Sequence, residues 1–268
     1  MKKLLLTVGV LGLLASCATT VNPVTGRKAN NSVSNAEIFP QSFSQYNEVL
    51  KSAQIETGTT NAKLVQTVGE RIKEAAVKYY AQKGISSQLD GYQWEFKLLK
   101  ANQVNAWCMP GGKVAVYTGI LPVTKNTDGL AVVMGHEIGH ALANHSGEQM
   151  TRQQNMQILG AVVGGAAGNS SWGSAFEKYY PVVGQVGLLK YSRNMELDAD
   201  VTGLYLMAMA GYNPNEAIPF WERMSQAGSG GNVEFLSTHP SDATRITKIK
   251  EALPTALAYY NASPYKGK

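Results

Sequence analysis

Cysteine is nearly absent from this sequence, which has only Cys17 and Cys108 among 268 residues. Small disulfide-stapled domains need several cysteine pairs, so that class of protein is excluded. Charged residues are scarce at 16 %, and no run of lysines and arginines occurs. The formal net charge of +5 therefore gives no basis for nucleic-acid binding, and we expect no nucleic-acid partner. The hydrophobic share of 44 % is that of an ordinary globular protein.

The N-terminal apolar run, residues 4–14, is too short to cross a bilayer as a permanent helix. It follows two lysines, and a basic start before a short apolar stretch is typical of an export signal. The run leads into LASC, which resembles a bacterial lipobox, so we expect residues 1–16 to be a signal peptide and Cys17 to be lipidated. No aspartate follows this cysteine, so we expect the protein to be anchored to a bacterial outer membrane and to face the periplasm. The alternative is an ordinary signal peptide with a chance cysteine.

The rest of the chain divides into a short linker and one domain. Residues 17–40 are polar and lack hydrophobic periodicity, so they are predicted to be the lipidated N-terminus and a tether. Residues 41–268 then form the globular domain. Hydrophobic residues at three- and four-residue steps predict a helix from Asn61 to Gly84. Tyr92 to Leu98 alternates between apolar and polar residues, which predicts a half-buried strand.

Further strands and helices follow. A Pro-Gly-Gly turn separates an extended segment from a strand around residues 114–117, so a small sheet precedes the remaining helices. One helix is predicted from Thr127 or Asp128 to His145, and others over residues 188–211 and from Ser241. The Gly/Ala-rich segment 156–173 is a packed helix or a loop that touches membrane, and we favour the packed helix. The predicted class is α+β, mainly helical, with a small β-sheet beside the helix from residue 127.

That helix carries three of the four histidines, in the stretch AVVMGHEIGHALANH at residues 131–145. Residues four apart share a helix face, so His136 and His140 can direct two imidazoles at one metal ion. Glu137 lies beside that ion, where its carboxylate can take a proton from a bound water. The flanking residues are apolar, so the helix is predicted to be buried. A buried histidine pair needs partners or a metal, and the pattern therefore predicts a metal site.

A catalytic zinc site uses three protein ligands and an open position, and this stretch supplies only two. His145 is a poor third ligand. Five positions after the second histidine of the motif on a continuous helix, it would point about 140° away from the metal face. Ser146 occupies the place where a third histidine would follow in the pattern H-E-x-x-H-x-x-G-x-x-H. A later carboxylate remains, and Glu196 and Asp200 share a helix face that Asp198 does not.

Six motifs, in this order, resemble the zinc gluzincin peptidases that include the HtpX heat-shock protease, the CaaX prenyl endopeptidase and the periplasmic BepA and LoiP lipoprotein-type proteases. The resemblance covers residues 22–253. It rests on NPVTGRK, NAWCMPGGKVAVYTGIL, GHEIGHALANH, YSRNMELDADVTG, AGYNP and THPSDATRI. The chain departs from the family pattern at Trp107 and Cys108, which follow Asn-Ala.

The resemblance implies a zincin-type metalloprotease domain with one zinc ion per chain. The ion would be held by His136, His140 and Glu196. Glu137 would act as the general base. Asp200 would brace a zinc-bound histidine, the role expected of a carboxylate just outside the ligand set.

The resemblance also implies residues that contact the substrate. Asn105 and Ala106 would belong to an edge strand that pairs with extended substrate backbone. His239 and Arg245 would line the site, where either could stabilise the oxyanion as it forms. These four residues come from segments before and after the histidine helix, so the implied site requires most of the chain.

Taken together, these patterns predict a membrane-anchored zinc endopeptidase that hydrolyses polypeptides, above all misfolded or unassembled envelope proteins. One alternative is a lipoprotein chaperone or assembly factor, acting with envelope assembly machinery, whose zinc site turns over little. A metal-free scaffold lipoprotein is another. Glu137 favours the enzyme, because a purely structural zinc site has no use for a carboxylate that binds no metal.

Overall fold

The computed structural model describes residues 19–164, 191–228, 233–239 and 243–268, with side chains to residue 156 in the first range. Within them the protein is mainly helical with two small sheets, which confirms the predicted class. Helices in the described ranges are α1 (Asn35–Ser52), α2 (Thr60–Gln82), α3 (Leu121–Thr124), α4 (Thr127–Leu142), α5 (His145–Gly164), α6 (Arg193–Met209), α7 (Ala217–Gly228), α8 (Glu234–Thr238) and α9 (Ala243–Ala262).

The strands form a two-stranded ribbon and a four-stranded sheet. The strands are β1 (Thr19–Val21), β2 (Lys28–Asn30), β3 (Ile55–Glu56), β4 (Glu95–Leu99), β5 (Ala106–Met109) and β6 (Lys113–Tyr117). The ribbon pairs β1 and β2 antiparallel. The larger sheet has the order β3-β4-β6-β5, with β4 parallel to β6 and the other pairs antiparallel. β5 therefore lies at an edge of this sheet, and it packs against α4.

Local sequence features set the ends of most elements. The Thr59 hydroxyl accepts the Ala62 backbone N–H at the start of α2, and Gly84 follows the helix with a φ of +71°. Between β5 and β6, Gly111 and Gly112 have φ values of +85° and +88°, which residues with a Cβ rarely adopt. The helix predicted from Asn61 to Gly84 is therefore confirmed as α2, and the predicted turn between two strands is confirmed as well.

The histidine helix α4 begins at Thr127, as predicted, but its capping residue and its end differ from the prediction. Its N-cap is Asn126, whose side chain accepts the Gly129 N–H at 2.7 Å, rather than Thr127 or Asp128. It ends at Leu142, so the prediction that it continues to His145 is wrong. Asn144 adopts a φ of +51°, which turns the chain before α5 begins.

α4 crosses α6 at an unusually close distance. A Cβ built on Gly203 of α6 would lie 2.5 Å from the carbonyl carbon of Gly135 and 2.6 Å from the backbone nitrogen of His136. Only glycine leaves room for such a backbone approach. The crossing brings the first turns of α6, with their carboxylates, against the face of α4 that carries His136 and His140.

Residues 19–34 pack against the domain, which differs from the polar tether predicted for residues 17–40. Asn22 donates its side-chain N–H to the Thr202 hydroxyl of α6 at 3.0 Å, and Val33 is buried. Ser34 and Glu37 then form a capping box that starts α1. Hydrophobic periodicity could not reveal this segment, because polar side chains make its contacts.

The remaining helix predictions are met in part. The helix predicted over residues 188–211 is α6, with Gly211 beyond it at a φ of +89°. Helix α5 continues into the Gly/Ala-rich segment to Gly164, and the rest of that segment lies outside the described residues. The predicted start of the last helix, Ser241, also lies outside them. None of the helices in the described ranges has the length and hydropathy that a membrane span requires.

Candidate metal centre

Four buried side chains from three separate parts of the chain converge at one point. The possible ligand atoms of His136, His140, Glu196 and His239 all lie within 4.8 Å of one another. The first two residues share a face of α4, Glu196 lies in the first turn of α6, and His239 directly follows α8. The predicted set of two histidines and Glu196 is therefore assembled, and His239 joins it.

The spacing of these atoms fits a tetrahedral zinc ion. The Nε2 atoms of His136 and His140 are 3.1 Å apart. Each lies 3.4 Å from an oxygen of Glu196. Zinc bonds of about 2.0–2.2 Å at tetrahedral angles place neighbouring ligand atoms roughly 3.3 Å apart. Imidazole nitrogens and a carboxylate are also the donors that zinc accepts, so the residues fit the metal that the sequence predicts.

The carboxylates of Asp200 and Glu196 favour a positive charge on or next to the His136 ring. Asp200 Oδ1 lies 2.9 Å from His136 Nδ1. Burial opposes protonation, but the carboxylates of Asp200 and Glu196 raise the pKa of His136 to about 9. A metal ion can replace that proton at Nε2, because zinc binds the deprotonated nitrogen and releases the proton. Asp200 therefore contacts the His136 nitrogen opposite Nε2, which is the contact expected of a carboxylate that orients a ligand histidine.

His145 is the main correction to the sequence-based site. The prediction that its side chain faces away from the metal face is wrong: it is fully buried, and its Nδ1 lies 2.9 Å from Nδ1 of His140. The predicted angle assumed one continuous helix, whereas the turn at Asn144 directs His145 back toward α4. His145 remains outside the group of four possible ligands, as predicted.

Glu137 is buried beside the four ligand atoms without belonging to them. Burial raises the pKa of its carboxyl, although His239, His136 and the Cys108 backbone N–H oppose this effect. Its Oε1 has no hydrogen-bond partner among the described residues, and the nearest ring nitrogen is His239 Nε2 at 3.5 Å. An acceptor in this position can receive a proton from a small molecule bound between the carboxylate and a metal.

His239 reaches the centre of the site rather than only lining it. Its Nδ1 lies 3.2 Å from His136 Nε2 and 3.0 Å from Glu196 Oε1, close enough to be a fourth ligand of the same ion. Its other nitrogen faces Glu137. The imidazole therefore lies between Glu137 on one side and His136 and Glu196 on the other.

Arg245 is fully engaged with carboxylates. Its Nε and Nη2 donate to the two oxygens of Asp200 at 2.7 and 2.6 Å, and Nη1 lies 3.3 Å from Glu196 Oε2. The guanidinium stacks 3.7 Å from the centre of the Trp221 ring. Such a bidentate pair holds Asp200 in place. The geometry favours this positioning role for Arg245 over the oxyanion role predicted for it.

The predicted substrate strand lies at the sheet edge beside α4. Asn105 accepts the Tyr117 N–H with its carbonyl and the Ala106 N–H with its side chain. Its Nδ2 group is buried and has no partner among the described residues. Trp107 pairs with Ala115 in the register of the two strands, so the backbone groups of its neighbours point away from β6. The outward N–H groups of Ala106 and Cys108 are already bound, by the Asn105 side chain and by Glu137, and β5 is buried, so an added strand would have to displace these contacts.

The sequence prediction missed three contributors to the site. Asp198 was set aside because it does not share the face of Glu196, yet it lies 3.0 Å from His145 Nε2. Tyr191 stacks on the His140 ring with 4.0 Å between centroids. Arg27 donates to Asp198 from the segment predicted to be a tether. Three acids at alternate positions in ELDAD indicated more than one role for them. Cys17, the predicted lipidation site, lies outside the described residues.

The sequence matches the model of peptidase family M48 over residues 64–253, well over half of the chain. It is 35 % identical over 209 residues to mitochondrial metalloendopeptidase OMA1 of Saccharomyces cerevisiae, covering 74 % of this chain and 58 % of that protein. The same enzyme of Schizosaccharomyces pombe is 39 % identical over 172 residues, covering 63 % and 50 %. Metalloprotease LoiP of Escherichia coli is 24 % identical over 172 residues, covering 63 % and 66 %.

The chain spans about half of the length of the two yeast relatives. The family match includes α4, α6 and His239, so it covers every residue of the four-ligand group. It also confirms the resemblance drawn from the six sequence motifs. The chain belongs to peptidase family M48.

Proposed function

We propose that this protein is a zinc-dependent endopeptidase whose active site is the group formed by His136, His140 and Glu196, with Glu137 beside it. One observation carries the proposal. The three side chains place their ligand atoms at the edge lengths of a zinc tetrahedron, and next to them lies the buried carboxylate of Glu137, whose Oε1 has no hydrogen-bond partner among the residues described. A purely structural zinc site has no use for a neighbouring base.

Zinc held there would polarise the scissile carbonyl and lower the pKa of a water at the fourth corner. Glu137 is placed to take a proton from that water and to pass it to the leaving amine. His239 would have to move aside for a water to bind next to Glu137, and its imidazole could then donate to the developing oxyanion. Arg245 keeps Asp200 against His136, so the ligand stays oriented during the reaction.

An unfolded or extended polypeptide is the proposed substrate. β5 is an edge strand beside α4, and an extended chain that added to it would exchange the present contacts of the Ala106 and Cys108 N–H groups for bonds to its own backbone. Asn105, which directly precedes β5, supports this role, because its buried Nδ2 has no hydrogen-bond partner in the described part of the chain. A folded protein presents few free extended segments. Misfolded or unassembled envelope proteins therefore fit the site better than native ones.

We further propose that Cys17 is lipidated and holds the protein at a bacterial membrane, by default the outer membrane facing the periplasm. The support is in the sequence alone: LASC follows a short apolar run that begins after two lysines. The site would then act on polypeptides close to the membrane surface, where unassembled envelope proteins collect.

The function is tested by incubating the purified protein with an unfolded protein, with and without a chelator, and counting zinc per chain. Glu137→Gln keeps the side-chain shape but removes the base, so it should keep one zinc ion and lose cleavage by at least roughly 100-fold. Metal content and cleavage must be measured on the same preparation. Unchanged cleavage in this variant would exclude the mechanism. A wild-type protein that binds zinc but cleaves nothing would support the chaperone alternative.

A further inference from the structure

A second buried carboxylate–histidine pair lies behind His140, and the reaction proposed above does not use it. His145 and Asp198 are both buried, and their Nε2 and Oδ2 atoms are 3.0 Å apart. The other nitrogen of His145, Nδ1, lies 2.9 Å from Nδ1 of His140. The four atoms form a chain from a carboxylate on α6 to the rear of a metal-ligand ring on α4.

Proton positions along this chain follow from what each group can donate. The carboxylate of Asp198 only accepts, so Nε2 of His145 must carry the hydrogen between them. A neutral His145 then has a lone pair at Nδ1, and the hydrogen between the rings belongs to Nδ1 of His140. The second nitrogen of His140, Nε2, is left with a free lone pair. That lone pair points toward the other three possible ligands.

We propose that His145 is the positioning residue for His140: it fixes the tautomer and the ring orientation that present Nε2 to the metal. The inference rests on the proposed zinc site. Asp200 orients His136 in the same way but directly, with 2.9 Å between His136 Nδ1 and the carboxylate. His140 has no carboxylate of its own within this chain of contacts, and an imidazole held by Asp198 takes that place.

The relay extends to the N-terminal segment. The Thr25 hydroxyl donates to Oδ1 of Asp198, and Arg27 Nε donates to its Oδ2 at 2.8 Å. Another arginine nitrogen, Nη2, donates to Glu148 of α5 at 2.6 Å. Arg27 is therefore a clamp between the helix that carries His145 and the helix that carries Asp198. The motif NPVTGRK acquires a role at the metal centre, although none of its residues belongs to the ligand group.

The test measures zinc affinity of the full chain by competition with a chromophoric chelator, together with the visible spectrum of the cobalt-substituted protein. His145→Ala should weaken zinc roughly 10–100-fold, the usual cost of losing a ligand's orienting partner. Two amide variants separate its two bonds. His145→Asn places an amide oxygen near the position of Nδ1 and should restore most of the affinity and the wild-type spectrum. His145→Gln reaches toward Asp198 instead and should not.

A matched pair of arginine variants tests the clamp. Arg27→Ala removes the donor to Asp198 and should weaken zinc severalfold. Arg152→Ala removes the other arginine that pairs with Glu148, at 2.7 Å, without touching Asp198, and should leave the zinc affinity unchanged. If His145→Ala fails to fold, the other variants still test the role of His145. The two amide variants keep a polar side chain at this position, and the two arginine variants leave the histidine rings unchanged.

The outcomes separate this inference from the proposed function. A wild-type protein that binds no zinc would overturn both. A wild-type protein that binds zinc while His145→Ala binds it equally, with an unchanged cobalt spectrum, would overturn only the role of His145. Recovery by glutamine and not by asparagine would also overturn it, since His145 would then serve packing through Asp198 alone.

Discussion

The close crossing of α4 and α6 predicts that Gly203→Ala will damage the metal centre as well as the fold. The added Cβ would lie 2.5 Å from the carbonyl carbon of Gly135 and 2.6 Å from the backbone nitrogen of His136, whereas ordinary contact begins at 3.4 Å. Both neighbours are backbone atoms, so no side-chain rotation can relieve the overlap. The two helices must therefore separate by about 1 Å at this point, which is a typical response to overpacking in a filled core.

Two free energies decide the stability change. Overpacking costs roughly 1–3 kcal/mol, and a clash between backbones belongs at the upper end of that range. The alanine side chain offsets about 1 kcal/mol of this loss, because alanine has a higher helix propensity than glycine. The net loss of about 2 kcal/mol corresponds to a decrease in Tm of roughly 4–8 °C for a domain of this size.

The zinc affinity should decrease further than stability alone explains. His136 and His140 are on one helix and Glu196 on the other, with 3.4 Å between the facing atoms. A separation of about 1 Å exceeds the tolerance of about 0.2 Å in metal–ligand distances. We expect the affinity to fall by more than the roughly 10–100-fold cost of losing an orienting group.

Tm in excess chelator and zinc affinity by competition are the two measurements, and Gly69→Ala is the matched control. Gly69 is on α2, and a Cβ there would lie 2.3 Å from the ring of Phe96 on β4. Neither residue is one of the four possible ligands. This variant should lose stability and keep its zinc affinity. If Gly203→Ala binds zinc as tightly as the wild type, the crossing does not set the ligand spacing, and the reasoning is refuted.

Other predictions concern the ligands and the anchor. Glu196→Ala should abolish stoichiometric zinc, measured as metal per chain, while Asp200→Ala should bind it about 10–100-fold more weakly; equal losses would contradict the assignment. His239→Ala should change the turnover rate on an unfolded substrate more than the Tm, and the reverse pattern would assign this residue to packing. Cys17→Ser should release the protein from the membrane fraction, whereas retention after a salt wash would point to a different anchor.

Short-range patterns in the sequence were sufficient for much of the site. A step of four residues places His136 and His140 on one helix face, and the same rule pairs Glu196 with Asp200. The alternation that begins at Tyr92 predicts a strand, observed as Glu95–Leu99. These features depend only on local periodicity. Tertiary packing did not have to be known to predict them.

Contacts between distant polar residues could not be predicted in this way. The N-terminal segment has no hydrophobic face, so its composition indicates a tether. Arg27 and Thr25 nevertheless hold it against Asp198, at a sequence separation of more than 170 residues. The glycine crossing is similar. Gly135 and Gly203 are unremarkable in sequence, and only the approach of two backbones shows why neither can carry a side chain.

The error at His145 came from treating Ala143 and Asn144 as part of a helix. Nothing there breaks a helix as proline or glycine does. Asparagine, however, is among the non-glycine residues that most readily adopt a positive φ, and Asn144 does so. A single left-handed residue resets the helical phase. After it, an angle counted from His140 no longer predicts which way a side chain points.

That change of phase explains why α6 contributes carboxylates from two sides to one centre. Asp198 follows Glu196 by two positions, about 200° around the helix, so a face argument removes it from the site. The turn at Asn144 places His145 on that second side, 3.0 Å from Asp198 and 2.9 Å from the rear of His140. Glu196 therefore faces the Nε2 atoms of both histidines, Asp200 holds Nδ1 of His136, and Asp198 acts on His140 through the imidazole of His145. In the spacing E-x-D-x-D the middle acid, Asp198, faces the end of α4, and its partner there is His145.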